Sequence, residues 1–471
     1  VLTDKHQDWL LMHYKSIRGG VTMKRKFSVF MSALFVAVLI FSSLTTARQK
    51  KFNWKEFSGS KITVLNMQQS YSKGLEAQLP EFEKLTGIKV EQETMGQQNV
   101  VQKINVEMAA HSNTYDLVFA ESDRLPQYVE SGWLEDISRY FNNKRLTDGS
   151  FLDKKDFIKS TLDAFKYDGK YYGLPYMAAT VIMYYRKDIF DKYGISGPPD
   201  TFDDLLQAAK KINTPEVPAI ALRGQPGAVM NVWHWSMFLY GMGGRIFKNY
   251  PQNFTPVLNS PKAEKALQVY CKLMQDYSIP GAASANFDDI VLAMQQGKVA
   301  IAIEGAPLGG RILDPAQSKV RGKLGFALIP KGPGGRYPAF TAQGFVIPKG
   351  SKNKGAAYLF LQWATSKNVL KNIAIKGTHV AVTRKSVWSD PDFVKKYNFD
   401  FGAGSYLQVF QKSLEIAPTW YRPTFEKWTE VGDRIGLAVS EAIINRKTPK
   451  EALSKANKDI FQIVKRAGKI K

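Results

Sequence analysis

Between Tyr171 and Asp188 the chain reads Tyr-Tyr-Gly-Leu-Pro-Tyr-Met-Ala-Ala-Thr-Val-Ile-Met-Tyr-Tyr-Arg-Lys-Asp. A Gly-Leu-Pro break opens this run and charges close it. What lies between is apolar, β-branched and aromatic with no polar face, the pattern of a strand buried on both sides. One cycle of strands and helices precedes the stretch. A second cycle starts after it with a helix expected over 199–212. The stretch is therefore the expected crossing from one α/β lobe into another, with a cleft between them.

The first cycle is legible in order. Residues 61–66 read as a strand, followed by polar Gln68, Gln69, Ser70 and Tyr71. An amphipathic helix is expected over 74–85, with apolar Leu75, Leu79, Phe82 and Leu85 and a closing Gly87. A strand over 88–93, a helix over 100–110 and a strand over 116–120 follow. Glu121-Ser122-Asp123-Arg124 is the next loop, and 125–131 the next helix. Strand, loop and helix at this spacing imply a mainly parallel sheet covered by helices. Ligands of such sheets sit beyond the carboxyl ends of the strands, where both loops lie.

The second cycle opens at Thr201, an N-cap with Asp203 and Asp204 in the first turn. Helices are expected over 233–240, 263–277 and 287–296, then a strand over 299–303 with the loop Glu304 to Pro307 after it. Residues 343–348 read as a strand returning to the first lobe, with its helix over 353–365. The tail carries a helix over 428–444 and the capping box Thr448-Pro449-Lys450-Glu451.

Composition narrows the function. The 471 residues carry a formal net charge of +23. Such a balance fits a nucleic acid, an anionic surface, an anionic ligand or simply a solvated basic exterior. The lysines are spread along the chain, and no Arg-rich block or nucleic-acid motif is present, so nucleic acid is not expected. The one cysteine, Cys271, excludes an intrachain disulfide. His111, His234 and His379 have no zinc-site spacing, and no metal or cofactor is expected.

The front end has its own logic. Met23-Lys24-Arg25-Lys26 is a positive n-region, residues 27–44 an apolar core, and Thr45-Thr46-Ala47 a small-residue cleavage pattern. This is a secretory signal with cleavage expected near Ala47, or alternatively an uncleaved membrane anchor. Residues 1–22 do not belong before such a signal, and Arg18-Gly19-Gly20 matches a translated ribosome-binding site, so they are expected to be a mis-annotated extension. Without residues 1–47, which hold six Lys/Arg and two Asp, the charge is still +19. The basicity belongs to the folded part.

Catalytic patterns are missing. There is no Gly-x-Ser-x-Gly turn, Gly241-Met-Gly-Gly-Arg245 lacks the third glycine of a dinucleotide loop, and Gly297-Lys298 is followed by Val299. A glycosidase would need two of Glu121, Asp123 and Glu304 about 5 to 9.5 Å apart. What remains is a cleft with aromatic, amide and charged groups. Aromatic rings cover the C–H face of a sugar, while amides, carboxylates and Arg hydrogen-bond its hydroxyl rim.

Phe82-Glu-Lys-Leu-Thr-Gly-Ile-Lys-Val90, Tyr115-Asp-Leu-Val-Phe119 with Ser131-Gly-Trp-Leu134, and Gly173-Leu-Pro with Tyr185-Arg-Lys-Asp188 stand out by order and spacing. Pro348-Lys-Gly-Ser-Lys-Asn353 and Thr448-Pro-Lys-Glu-Ala-Leu453 join them. Together they resemble family 1 of the extracellular, or periplasmic, solute-binding proteins of carbohydrate ABC transporters, the group that includes maltodextrin-binding protein. The resemblance implies a type II periplasmic-binding-protein fold: two α/β lobes, a multi-segment hinge, and closure over a ligand passed to a membrane permease. It implies a non-enzymatic, monomeric protein outside the inner membrane. Residues 48–176 with 345–385 would form one lobe, and 177–344 with 386–471 the other.

Carried over residue by residue, the resemblance places Asp123 and Arg124 on sugar hydroxyls, with Gln69 and Ser70 as the polar pair after the first strand. It places Asn231, Glu304 and Gln343 in the site with Tyr176, and gives stacking to Trp233 and Trp428. Each has a plain alternative: an N-cap for Asp123, a surface charge for Arg124, core packing for Trp233 and Trp428, and a structural carboxylate for Glu304. Ala120, Ala179 and Pro307 stand where relatives have an aromatic, an acid and an aromatic, which argues against maltodextrin itself. An anionic solute, such as a uronate oligomer or sugar phosphate, is the alternative ligand, and a glycoside hydrolase the third reading.

Overall fold

In the computed structural model, which describes residues 51–470, β1 (Lys61–Met67) lies between β2 (Lys89–Met95) and β3 (Leu117–Glu121), all three parallel. The expected signal and upstream extension lie outside the described residues. The helix expected over 74–85 is two helices, Ser70–Glu76 and Leu79–Thr86. Pro80 sits in the first turn of the second, where its missing N–H costs nothing, and it bars a continuous helix through that turn.

A hairpin of β4 (Lys166–Tyr167) and β5 (Lys170–Tyr171) turns on Asp168 and Gly169, both at positive φ. β6 (Gly173–Arg186) follows, fourteen residues long and buried on both faces for nearly all of its length. Its partners change midway. Residues up to Thr180 pair with β12 (Phe340–Val346), and from Val181 onward they pair with another set. That set grows in chain order: β7 (Ile220–Ala221), an outlying hairpin of β8 (Phe247–Asn249) and β9 (Asn253–Pro256), then β10 (Ile301–Gly305) and β11 (Leu324–Ala327). β10 runs antiparallel to β6 and parallel to β7, and β11 pairs with β6. The full path is β2-β1-β3-β12-β6-β10-β7.

The first set is thus parallel at β1 to β3 and closed by antiparallel β12, and the second hangs on the far half of β6. Both carry helices, giving the two-lobe α/β arrangement expected from the sequence, with β6 running through both sheets. The helix Asn231–Gly241 is buried at every residue, consistent with its apolar composition all round. It packs between the helices Pro261–Asp276 and Trp428–Ile443. Gly436 permits that approach: a Cβ there would meet the Gly227 nitrogen at 2.4 Å.

Candidate functional site

A cavity of about 690 Å³ opens beyond the carboxyl ends of β1, β2, β3, β7 and β10. Those ends supply Gln68, Gln69 and Ser70, then Gly96 to Asn99, Glu121, Arg223 with Gln225, and Gly305 with Pro307. Parallel strands aim their exits the same way, so loops distant in sequence converge. β12 adds Thr341 and Gln343 from the middle. A register shift between Gln343 and Gly344 marks an irregularity there, and Gly344 has the backbone of Leu174 where a Cβ would stand.

One wall is built of amides. Gln69 donates through Nε2 to the Tyr176 hydroxyl at 2.9 Å and to Gln343 Oε1 at 3.2 Å. Tyr176 is fully buried and stacks on Tyr71 with ring centroids 3.7 Å apart. Burial pushes its phenol well above the usual range, so it stays a neutral hydroxyl that fixes Gln69. Behind the ring, His379 donates from Nε2 to the Tyr176 carbonyl at 3.2 Å. Burial lowers its imidazole to about 4, so it is neutral at pH 7 while lining the cavity. Gln97 donates to Glu121 Oε1 at 2.8 Å.

The opposite wall is organised by Arg223. Its Nε donates to Glu304 Oε2 at 2.9 Å, its Nη2 to Glu304 Oε1, and its Nη1 to the Val229 carbonyl at 2.9 Å. The Arg223 backbone N–H donates to His234 Nδ1 at 3.0 Å, which leaves the His234 proton on Nε2, 3.7 Å from Glu304 Oε2. Burial alone would raise the Glu304 carboxyl, but Arg223 and His234 outweigh it and hold the group far below the carboxylate range. The Arg223 guanidinium lies 4.9 Å from the Trp233 ring centre and 5.4 Å from that of Phe287, both in the lining. Arg311 pairs with Asp288 at 2.8 Å, and both line the cavity.

Of the residues expected from sequence, Gln69, Ser70, Trp233 and Gln343 line the cavity together. Tyr176 and Glu304 sit one layer behind, holding Gln69 and Arg223 in place. Asp123 and Arg124 lie outside the lining, engaged in ion pairs. Asp123 Oδ2 is 2.9 Å from Arg422 Nη1, and Arg124 Nε is 3.4 Å from Glu121 Oε2, with its Nη1 donating to Thr429 Oγ1 at 3.3 Å. Asn231 is also outside. It is fully buried, its amide donates to the Gly224 and Gly436 carbonyls, and its Oδ1 accepts from Gly227, which leaves it joining two helices rather than facing the cavity. Trp428 starts the helix Trp428–Ile443 and is 1 % exposed, packed inside rather than at the wall.

Arg223, Arg311 and the amides of Gln97, Gln98, Asn99, Gln225 and Asn286 were not expected. Arg223 follows a strand of two residues, too short to read alone. The signal was the apolar run Ala219 to Leu222 ending in Arg-Gly-Gln; Glu304, expected in the loop after its strand, instead lies inside β10, which runs on to Gly305. Ala179 and Pro307, the substituted family positions, do line the cavity. Among the described residues no cluster of His, Cys, Asp and Glu is set to hold a metal.

Three comparisons bear on this geometry. A model of the family described as bacterial extracellular solute-binding protein matches residues 66–370. A mannitol-binding protein of Pseudomonas aeruginosa is 28% identical over 386 residues, 79% of this chain and 86% of its own length. Among solved structures, an ABC transporter solute-binding protein from Agrobacterium radiobacter K84 in complex with ribitol superposes with a TM-score of 0.77 at 27% identity, covering 86% of this chain and 99% of that one. Another, from Agrobacterium vitis S4 with bound D-mannitol, gives 0.76 at 26% identity, covering 87% and 99%.

Proposed function

The chain belongs to the bacterial extracellular solute-binding protein family, within its sugar and polyol ABC-transporter members, and from that premise we propose that its ligand is a neutral, acyclic polyol. The protein is a binding component and not an enzyme. The observation that carries the polyol reading is charge balance. Each arginine at or beside the cavity has its own carboxylate: Arg223 with Glu304, Arg311 with Asp288, Arg124 with Glu121, and Arg422 with Asp123. Arg223 and Arg311, the two basic side chains of the lining among the described residues, are thus already engaged by carboxylates, which favours an uncharged ligand over an anion.

The shape of the ligand follows from the lining. Eight amide side chains face the cavity, from Gln68, Gln69, Gln97, Gln98, Asn99, Gln225, Asn286 and Gln343. An amide carries both donors and an acceptor, as a chain of hydroxyls requires, and part of this capacity is already used within the wall: Gln69 Nε2 goes to Tyr176 and Gln343, Gln97 Nε2 to Glu121, and Asn286 Oδ1 accepts from the Asp288 N–H. Among the described residues, Trp233 and Phe287 are the lining's aromatic side chains besides the His379 imidazole, and Arg223 already lies against both, which leaves little flat surface for a pyranose ring. The ligands named for the mannitol-binding relative and the ribitol- and mannitol-bound structures support the same class.

In this proposal the ligand bridges the two lobes, with β6 as part of the hinge and lobes of 48–176 with 345–385 and 177–344 with 386–471. It stabilises the closed form by binding that form more tightly, and the closed monomer then meets the permease of an ABC transporter. The leader over 23–47 is cleaved near Ala47 during export.

Thermal unfolding of the purified protein, freed of carried-over ligand, against alditols, neutral sugars and uronates tests this. Ligand at about 100 times its dissociation constant adds roughly 2.7 kcal/mol. That is a shift of roughly 5 to 10 °C for lobes of this size. A shift with four- to six-carbon alditols is expected. A shift confined to uronates or sugar phosphates would replace the proposal with the anionic reading, and one confined to cyclic oligosaccharides would remove the acyclic part.

A further inference from the structure

We infer that His379 is a ligand-binding residue, whose Nδ1 accepts a hydrogen bond from one hydroxyl of the polyol. The inference rests on the polyol reading above and assigns one contact within it.

His379 belongs to a segment strapped along the first half of β6. The Ala178 N–H donates to the Ala381 carbonyl at 3.1 Å, and Thr383 Oγ1 donates to the Pro175 carbonyl at 2.9 Å. The bond from His379 Nε2 to the Tyr176 carbonyl is a third tie. Thr378, His379 and Val380 are thereby set in the cavity wall. The imidazole also packs against the ring of Tyr71, with centroids 5.4 Å apart. These contacts hold it in one orientation.

The Tyr176 bond decides the tautomer. A carbonyl oxygen only accepts, so Nε2 carries the proton, and Nδ1 of the neutral ring is left as an acceptor. Burial keeps the ring neutral at pH 7. Among the described residues nothing donates to Nδ1, yet it is not one of the buried polar atoms sealed without a partner. It keeps an opening, and the wall to which the residue belongs is that of the cavity.

A polyol makes use of such an atom. Each of its hydroxyls brings a proton that needs an acceptor. Several acceptors of the wall are already taken. Gln343 Oε1 accepts from Gln69, Glu121 Oε1 from Gln97 and its Oε2 from Arg124, and Asn286 Oδ1 from the Asp288 N–H. A free imidazole nitrogen meets the demand without adding charge. It also discriminates: a hydroxyl can donate to it, whereas a carboxylate would set lone pair against lone pair.

The test is calorimetry with D-mannitol and ribitol on the wild-type protein and on His379→Gln, which keeps a donor for the Tyr176 carbonyl and removes the acceptor. We expect the variant to bind at least about threefold more weakly, within the range of one neutral hydrogen bond. Monodeoxy- and deoxyfluoro-D-mannitols locate the contact. At one position both replacements should weaken wild-type binding, since neither hydrogen nor fluorine can donate, and both penalties should vanish in His379→Gln. A variant that lowers all affinities by one factor and leaves every penalty unmoved would make His379 structural and overturn the inference. A smaller than threefold loss in a folded variant would overturn it too, and both results would leave the polyol reading standing. A wild-type protein that binds neither polyol would overturn both. Should the variant fail to fold, the ¹⁵N resonance of His379 Nδ1 in histidine-labelled wild-type protein decides. D-mannitol should move it upfield, as for a nitrogen that gains a proton donor, and an unmoved resonance would overturn the inference.

Discussion

Two buried arginine–carboxylate pairs approach the ring of Trp233, and they differ in how completely they are satisfied. In the Arg223–Glu304 pair, both carboxylate oxygens accept from the guanidinium, Oε1 also accepts the Gly305 N–H at 2.6 Å, and His234 faces Oε2. In the Arg422–Asp123 pair, Nη1 and Oδ2 form an ion pair at 2.9 Å, while Arg422 Nε, Nη1 and Nη2 and Asp123 Oδ1 have no hydrogen-bond partner among the described residues. The first pair joins the loop after β7 to β10, on one side of the cavity. The second joins the β3 loop to the tail, across the two sheets. The first pair fixes a wall of the cavity, whereas the second ties two segments that lie outside the lining.

The strongest way to break this comparison is Glu304→Gln. The change preserves shape and leaves the Arg223 charge buried without its counter-charge. Removing one partner of a buried pair costs about 3 to 5 kcal/mol. Urea unfolding of the ligand-free protein should show a loss of that order. A loss below about 1 kcal/mol, inside the range of an exposed ion pair, would mean that the pair is no structural element.

Sequence carried the fold further than the site, for a reason these pairs illustrate. Strand and helix order follow from periodicity and caps, both local, and the partner change of β6 was legible because its run is apolar on both faces. Loops that follow strands could be placed at the cavity, which brought Gln69 and Ser70 to it, while Gln343, inside β12, came from the resemblance. The lateral relations were not local. Nothing near Glu304 in sequence shows that its oxygens go to Arg223, 81 positions away. Nothing near Asn231 shows that Gly436 lies against it. Arg422 was hidden in a segment without strand or helix, where no period marks a face. The Gln97-Gln98-Asn99 triplet was visible but passed over, since the start of the expected helix at Val100 placed it in a loop without a role.

Acid sharpens the comparison next. His379 titrates at about 4 in the fold because burial disfavours its charge, and His234 is lowered by burial as well. The unfolded chain binds those protons near pH 6.5. It therefore holds more protons than the folded chain between about pH 6.5 and 4, and stability falls as pH drops through that window. His379 alone accounts for up to about 3 kcal/mol by the low end. Glu304 is depressed in the fold, so its contribution is full above the ordinary glutamate value and is lost only as pH falls below it. Unfolding free energies from pH 7 to 4.5 should then decline, and His379→Gln should flatten the decline. A flattening by Glu304→Gln of equal size would show the carboxylate titrating inside that window, against its saturation by Arg223.

The smallest effect is expected at the ring the two pairs share. Trp233 lines the cavity and is 8% exposed, with guanidinium groups 4.9 and 5.0 Å from its centre. The proposed function gives it two roles that substitution separates: a surface for the C–H groups of the ligand, and a spacer between the two guanidinium groups. Trp233→Ala removes both and should weaken polyol binding at least tenfold, about 1.4 kcal/mol, with the fold intact by circular dichroism. Trp233→Phe keeps a ring for both cations but gives up the indole N–H and part of the surface, so affinity within about threefold of the wild type is expected if spacing dominates. Equal losses for Phe and Ala would assign the role to the indole itself. Its Nε1, without a partner among the described residues, would then be a polar contact to the ligand. Unchanged affinity in Trp233→Ala would remove the ring from the site, and the two pairs would have to be judged independently.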